Sequence, residues 1–136
     1  MKIIILDDSF TVRMIIESFL EDLDVREDEI FGFENGFKAL QFIEKHGADI
    51  VFSDINMPEM NGYEFASALF RTRKDLQSSF FAISGDESRE SYRKMKKIGV
   101  HRFLKKPIDS EHFNHFVWHL VQKHRKIESI FNKIKE

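Results

Sequence analysis

The chain has 136 residues, of which 42% are hydrophobic and 32% are charged, a composition that fits one globular domain with a sizeable core. The formal net charge of −2 gives no general attraction to nucleic acid or anionic lipid. Cysteine is absent, which excludes disulfides and thiolate metal sites, and no apolar stretch approaches the ~20 residues of a membrane span. We therefore expect a soluble, cytoplasmic protein.

Short apolar runs alternate with longer stretches of helical periodicity, a pattern typical of βα units around a parallel sheet. The predicted strands are Lys2–Leu6, Glu29–Phe33, Ile50–Ser53, Phe80–Ser84 and His101–Leu104. The predicted helices are Phe10–Leu23, Gly36–His46, Tyr63–Phe70, Glu87–Ile98 and a long last helix from about Ser110. Ser9 is suited to cap the first helix, and Gly47 and Gly99 stand where helices should end. Right-handed crossovers favour an α/β fold with a doubly wound, five-stranded parallel sheet in the order 2-1-3-4-5.

Acidic residues stand where two of the predicted strands end. Asp7 and Asp8 follow the first strand, and Asp54 follows the third. In the order 2-1-3-4-5 these strands are neighbours at the switch point, where ligands bind beyond the strand ends. Carboxylates this close are unfavourable without a compensating cation or proton, and their oxygens suit a hard divalent metal. Helix capping explains an isolated Asp pair, but the three aspartates together predict a metal site.

Several short motifs follow the same strand ends. They are Asp7-Asp8-Ser9, Asp54 with Asn56-Met57-Pro58, Gly62, Ser84-Gly85 and Lys106-Pro107. In this order and at these places, the motifs resemble the receiver domain of two-component response regulators. The resemblance covers roughly residues 1–122 and implies a flavodoxin-like fold for them. Residues 123–136 are then a helical extension that continues the fifth helix.

The resemblance implies the chemistry of a phosphoryl-accepting switch. Asp54 takes a phosphoryl group from a phosphohistidine of a sensor histidine kinase or a phosphotransfer protein, and holds it as an acyl phosphate until hydrolysis. Because the incoming group is anionic, positive charge must be supplied at the site. Asp8 and Asp54 are the expected direct Mg²⁺ ligands, Asp7 binds directly or through water, and the resemblance adds the backbone carbonyl of Asn56. Lys106 is the expected second cation for the phosphoryl oxygens.

Two further residues connect the site to an output surface. The Ser84 hydroxyl is expected to donate to a phosphoryl oxygen, and Phe103 is expected to turn inward when Ser84 moves toward phosphate. The face made by helix 4, strand 5 and helix 5 would then change shape for a downstream protein. A permanently buried Phe103 is the alternative. The resemblance also implies a cis peptide bond before Pro107.

Two classes of function use carboxylates in this way. The first is a non-catalytic signalling switch, whose own phosphorylation and dephosphorylation are its only chemistry. The second is a phosphatase of the haloacid dehalogenase type, which forms an aspartyl phosphate but usually needs a second acid two residues after the nucleophile. Asn56 occupies that position, so the sequence favours the switch.

The fourth predicted helix is rich in cations, which raises the alternative of nucleic-acid binding. The cations are Arg89, Arg93, Lys94, Lys96 and Lys97, with Arg102 and Lys105 following. No groove-entering motif or stacking aromatic accompanies them, and acidic residues interrupt the run. A solvated or protein-facing surface is therefore expected, with no nucleic-acid and no membrane partner.

Apolar residues continue past the point where the domain should end. Positions spaced alternately by four and three carry Phe113, Val117, Leu120, His124, Ile127, Phe131 and Ile134. This is a heptad seam with one polar position. A helix from Ser110 to Ile134 would be roughly 37 Å long, too long to lie wholly on one small domain. A homodimer through this helix is the simplest interpretation, and a helix folded back on its own domain is the alternative.

Overall fold

The apolar runs form strands of a sheet, and the periodic stretches form the helices that cover it. The computed structural model describes residues 1–85 and 88–135. In chain order these contain β1 (Ile3–Leu6), α1 (Phe10–Glu21), β2 (Ile30–Phe33), α2 (Gly36–His46), β3 (Ile50–Asp54), α3 (Gly62–Thr72), β4 (Phe80–Ser84), α4 (Arg89–Lys97), β5 (Arg102–Lys105) and α5 (Ser110–Lys135). Short 3₁₀ turns, Glu27–Glu29 and Lys74–Ser79, lead into β2 and β4. The predicted elements are all present, although Glu87, the predicted start of the fourth helix, lies outside the described residues.

The sheet has five parallel strands in the order β2-β1-β3-β4-β5, which confirms the predicted topology. β1 lies in the middle of one half, with Ile3 opposite Ile30 of β2 on one side and Ile50 of β3 on the other. Every residue of β1, β3 and β4 is buried, as expected for parallel strands covered on both faces. The ends of β1 and β3 are therefore neighbours.

Helices cover the two faces of the sheet because successive strand residues point to opposite sides. On one face, Ile5 and Phe52 pack with buried residues of α1 and α5. On the other, Ile4 and Val51 pack with buried residues of α2, α3 and α4. In α1, Ile16 and Leu20 are buried against the sheet, while Ile15 is 39% exposed.

The predicted helix ends have the expected local structure. The Ser9 hydroxyl accepts a hydrogen bond from the Val12 amide at 3.3 Å, so Ser9 caps α1. Gly47 and Gly99 have φ angles of +80° and +99°, in the region that L residues with a Cβ rarely adopt. These glycines end α2 and follow α4, which places β3 and β5 after sharp turns.

α5 is one unbroken helix of 26 residues, or roughly 39 Å. In the described part of the chain, no helix combines the length and apolarity needed to cross a bilayer. The side chains of α5 buried against the domain are Phe113, Val117 and Val121. The predicted seam contains only the first two of these, and its distal members Ile127 and Phe131 are 41% and 59% exposed.

Arg125 ties the second half of α5 to the domain. Its guanidinium donates to both carboxylate oxygens of Glu29, at 2.6 Å for the Nη1–Oε2 pair, and to the backbone carbonyl of Asp24 at 3.1 Å. Glu29 is 3% exposed, and the hydrogen bonds from Arg125 lower its pKa to about 2 despite its burial. The Met1 ammonium lies 3.4 Å from the same carboxylate. α5 thus contacts its own domain as far as Glu128, whose carboxylate lies 2.5 Å from the Met1 ammonium, and this agrees with the alternative prediction for this part of the helix.

Replacement of Arg125 by Met should destabilise the protein by about 2 kcal/mol at pH 7, because a buried carboxylate loses its main partner. The lowered pKa of Glu29 means that the pair contributes fully above pH 4.5 and is lost as the pH falls toward about 2. Urea unfolding at pH 7 and pH 3 measures both effects. Lys126→Met, on the exposed neighbour, is the matched control, and an equal loss in the two variants would refute the role of Arg125.

Candidate functional site

Three carboxylates meet where β1 and β3 end. Oxygens of Asp7, Asp8 and Asp54 all lie within 4.8 Å of one another. Asp7 is fully buried and Asp54 is 3% exposed, whereas Asp8 is exposed to solvent. The parallel pairing of β1 with β3 causes this arrangement, because it places Leu6 opposite Ser53 and so brings the next residues together. The predicted acidic cluster is therefore present.

The two carboxylate oxygens of Asp7 have different surroundings. Its Oδ1 accepts a hydrogen bond from the Ser9 amide at 2.8 Å, and its backbone carbonyl accepts one from the Arg13 guanidinium at 2.6 Å. Its Oδ2 is buried and accepts no hydrogen bond from residues 1–85 or 88–135. Lys106 Nζ lies 3.2 Å from this oxygen as an ion pair without hydrogen-bond geometry. Apart from this ion pair the buried oxygen has no partner among the described residues, so it is suited to contact a further cation.

Lys106 connects two of the carboxylates. Its Nζ is 3.2 Å from Asp7 Oδ2 and 3.4 Å from Asp54 Oδ2. Its backbone amide donates to the Ser84 carbonyl at 2.7 Å, which fixes the start of the loop after β5. The peptide bond from Lys106 to Pro107 is cis, as the resemblance implied. Burial alone would lower the pKa of Lys106, but Asp7 and Asp54 raise it, so the ammonium stays charged.

The cluster is short of positive charge. The pKa of Asp54 is raised to about 6, mainly by burial and to a lesser extent by the negative charge of Asp7. Lys106 and the Asn56 amide oppose this shift. Burial also raises the pKa of Asp7. One ammonium thus offsets only part of the cost of the carboxylates. Asp54 is ionised at neutral pH but is less stabilised as an anion than an ordinary aspartate.

The cluster fits a hard divalent cation. Its ligand atoms are carboxylate oxygens, one of them buried without a hydrogen bond, and the burial that raises their pKa values would be offset by a metal charge. The Asn56 amide donates to Asp54 Oδ1 at 3.3 Å, which puts Asn56 beside the cluster. The role of its carbonyl as a ligand stays a prediction. Steric contact explains why residue 62 is glycine, because a Cβ there would lie 2.4 Å from the Asp54 carbonyl oxygen.

Ser84 and Phe103 meet a third residue that the sequence interpretation missed. Ser84 is 1% exposed, and its Oγ accepts a hydrogen bond from the hydroxyl of Tyr92 on α4 at 2.7 Å. The ring of Tyr92 packs against Phe103, with centroids 5.1 Å apart. Phe103 is half-buried rather than fully buried. Helical spacing offered a clue to Tyr92, which stands three residues before the buried Met95.

Comparison with known proteins places the chain in a family. The family model for the response regulator receiver domain matches residues 3–117. The chain belongs to this family. The receiver domain is 29% identical over 109 residues to a CheY homologue of Campylobacter jejuni, which covers 79% of this chain and 82% of that protein. It is also 30% identical over 132 residues to the cyclic di-GMP phosphodiesterase response regulator RpfG of Xanthomonas campestris.

Solved receiver structures share the fold. CheY4 of Vibrio cholerae superimposes with a TM-score of 0.75 at 27% identity, over 88% of this chain and 97% of that one. The chain spans only part of the length of some curated relatives. The match to RpfG includes 96% of this chain but only 34% of RpfG, and the match to DegU of Brevibacillus brevis includes 45% of DegU. Two-component signalling is thus the class of function, and the haloacid dehalogenase alternative finds no support in these comparisons.

Without metal, Asp54→Asn should stabilise the folded protein at pH 7.5. Because the pKa of Asp54 is raised from 3.8 to about 6, its ionised form costs folding free energy above pH 6, and this cost disappears below pH 3.8. About two pKa units correspond to at most about 3 kcal/mol. Urea unfolding in EDTA should show this gain shrinking between pH 7.5 and pH 4.5. The exposed Asp28→Asn is the control, and a gain that is equal at both pH values would contradict the assignment.

Proposed function

We propose that this receiver domain is a phosphoryl-accepting switch in which Asp54 takes the phosphoryl group from a phosphohistidine of a histidine kinase or phosphotransfer protein. The observation that carries the proposal is the Lys106 ammonium lying 3.2 Å from Asp7 and 3.4 Å from Asp54 in a cluster that still lacks positive charge. Such a cluster suits the arrival of an anionic group together with a cation. The donor implies a cytoplasmic location.

The proposed reaction needs a nucleophile, a charge partner and a metal site. A carboxylate oxygen of Asp54 attacks phosphorus, the phosphorus–nitrogen bond breaks, and its electron pair goes to the imidazole, which is protonated as it leaves. Asp7, Asp8, Asp54 and the Asn56 carbonyl would hold Mg²⁺, which supplies charge to the phosphoryl oxygens when bound. Lys106 would meet a further phosphoryl oxygen. Hydrolysis of the acyl phosphate resets the switch, and no other substrate turns over.

The output would use the far side of Ser84. In the proposed response its hydroxyl turns to a phosphoryl oxygen, and Phe103, which is half-buried in the structure, moves inward. The face formed by α4, β5 and α5 then changes for a downstream protein partner. The cations of α4 belong to this face, and we expect them to meet a protein rather than a nucleic acid because Glu90 interrupts the run of positive charge.

Phosphorylation provides the direct test of Asp54. With labelled acetyl phosphate and Mg²⁺, the wild type should take up label and Asp54→Asn should take up none, because Asp7 and Asp8 are expected to hold the metal rather than to attack. Asp8→Ala should weaken Mg²⁺ binding at least tenfold, since it removes a direct ligand. Calorimetric titration with Mg²⁺ measures the second effect.

Asp28→Asn, which is far from the cluster in sequence and exposed, should label as the wild type does. Normal stoichiometric labelling of Asp54→Asn would overturn the assignment of the nucleophile. Metal affinity unchanged in Asp8→Ala would place the cation elsewhere. Turnover of a generic phosphomonoester by the wild type would favour the phosphatase alternative.

The distal part of α5 supports a proposal about assembly. We take residues 1–122 as the receiver domain proper and residues 123–136 as its extension, and propose that the extension pairs with a second copy. Within it, Ile127, Ile130, Phe131 and Ile134 are 41%, 50%, 59% and 74% exposed at one-face spacing, which we name the distal stripe. Exposure of apolar surface to water is unfavourable by about 25 cal/mol per Å². Pairing with the same stripe of another copy would bury it.

Sedimentation should show a wild-type dimer at micromolar concentration and a monomer for the double variant Ile127→Glu with Phe131→Glu, because the seam would then contain charge. Lys123, Lys126, Lys133 and Lys135 surround the stripe, so the dimer should tighten with added salt as their repulsion is screened. A double variant with Glu at the exposed Asn132 and Ser129 positions is the matched control. A wild type that stays monomeric at every salt concentration would refute the pairing.

A further inference from the structure

We propose that Tyr92 is a latch that holds the Ser84 hydroxyl on the output side of β4 until a phosphoryl group at Asp54 competes for it. The inference rests on the proposed function, since the competitor is the phosphoryl group. It adds a positioning residue on α4 that neither the motifs nor the family match assigns. Three observations carry it: a buried hydrogen bond, a fixed main chain, and an aromatic contact.

The hydrogen bond between Tyr92 and Ser84 is well formed. The two hydroxyl oxygens are 2.7 Å apart, which is the usual length for an O–H···O bond, and Tyr92 is the donor. Ser84 is 1% exposed and Tyr92 is half-buried, so water competes poorly for this bond. The Ser84 hydroxyl is therefore engaged on the side of α4 rather than left free to meet a ligand.

The main chain of Ser84 has little freedom to follow a new partner. It pairs with Lys105 at the end of β4, and its carbonyl accepts the Lys106 amide at 2.7 Å. The hydroxyl can therefore change partner mainly by rotation about χ1, which has three staggered positions. Such a rotation is a discrete change, with Tyr92 as the partner in one state and a phosphoryl oxygen in the other.

Tyr92 carries this change to the output face. Its ring contacts Phe103 at a centroid distance of 5.1 Å and an interplanar angle of 58°. It also lines an open groove on α4 with the cationic side chains of Arg89, Arg93, Lys96 and Lys97. Phe103 on β5 has no hydroxyl, and the phenol that contacts Ser84 is that of Tyr92 on α4. Release of the hydroxyl would free the Tyr92 ring within a surface that a protein partner can contact.

The latch should oppose activation, so its removal should favour it. Tyr92→Phe keeps the ring that packs against Phe103 and removes only the donor. It should bind beryllofluoride, a phosphoryl mimic, roughly two- to tenfold more tightly than the wild type, because one hydrogen bond no longer competes. Tyr63→Phe is the matched control, since Tyr63 is the other tyrosine of the chain and should leave the affinity unchanged.

Fluorine NMR titration of each protein with beryllofluoride and Mg²⁺ measures the affinity. Carbon NMR of protein labelled at tyrosine Cζ gives a second readout, because the chain has two tyrosines and Tyr63→Phe assigns the Tyr92 signal. On binding beryllofluoride, the wild-type Tyr92 signal should move to its position in Ser84→Ala without beryllofluoride. A purely structural role for Tyr92 would weaken folding without raising beryllofluoride affinity.

The outcomes separate the latch from the function on which it rests. Asp54→Asn should not bind beryllofluoride, and if it binds as the wild type does, the proposed function fails. If binding depends on Asp54 but Tyr92→Phe has wild-type affinity, the latch is refuted. A Tyr92 signal that does not move with beryllofluoride refutes it as well, since the hydrogen bond would then persist in the active state.

Discussion

The electrostatic cost of three carboxylates at one sheet edge is the constraint on which the rest of the molecule depends. Parallel pairing of β1 with β3 brings Asp7 and Asp54 together, and burial raises the pKa of both. Lys106, from the loop after β5, offsets part of this cost because its ammonium lies beside Asp7 and Asp54 at the strand ends. A site with too little positive charge is suited to bind a cation.

The same sheet edge is also connected to α4 through Ser84. Lys106 and Ser84 share a backbone hydrogen bond, so the residue that carries the ammonium and the residue that carries the hydroxyl are fixed to each other. Tyr92 donates a hydrogen bond to the Ser84 hydroxyl, and its ring packs against Phe103. Packed side chains with discrete rotamers can transmit a change in structure better than a deformable backbone would.

Sequence patterns predicted the fold and the acidic cluster because both depend on local periodicity and on residues at strand ends. Asp7, Asp8 and Asp54 could be placed once the strand order was known, and Lys106 was placed by the resemblance to receiver domains. The bond between Tyr92 and Ser84 could not, since it depends on the tilt of α4 over β4. The bond between Arg125 and Glu29 was equally hidden, because the two residues are 96 positions apart in the chain.

Helix geometry explains why the heptad seam and the contact face of α5 separate. Phe113, Val117, Val121 and Arg125 are spaced by four, so the contact line turns by roughly 40° at each step around a helix of 3.6 residues per turn. A heptad seam turns by only ~20° per seven residues in the opposite direction. By Arg125 the two lines have diverged, and Ile127 and Phe131 lie roughly 120–160° from it. The distal stripe can therefore meet a second copy while Arg125 keeps its bond to Glu29.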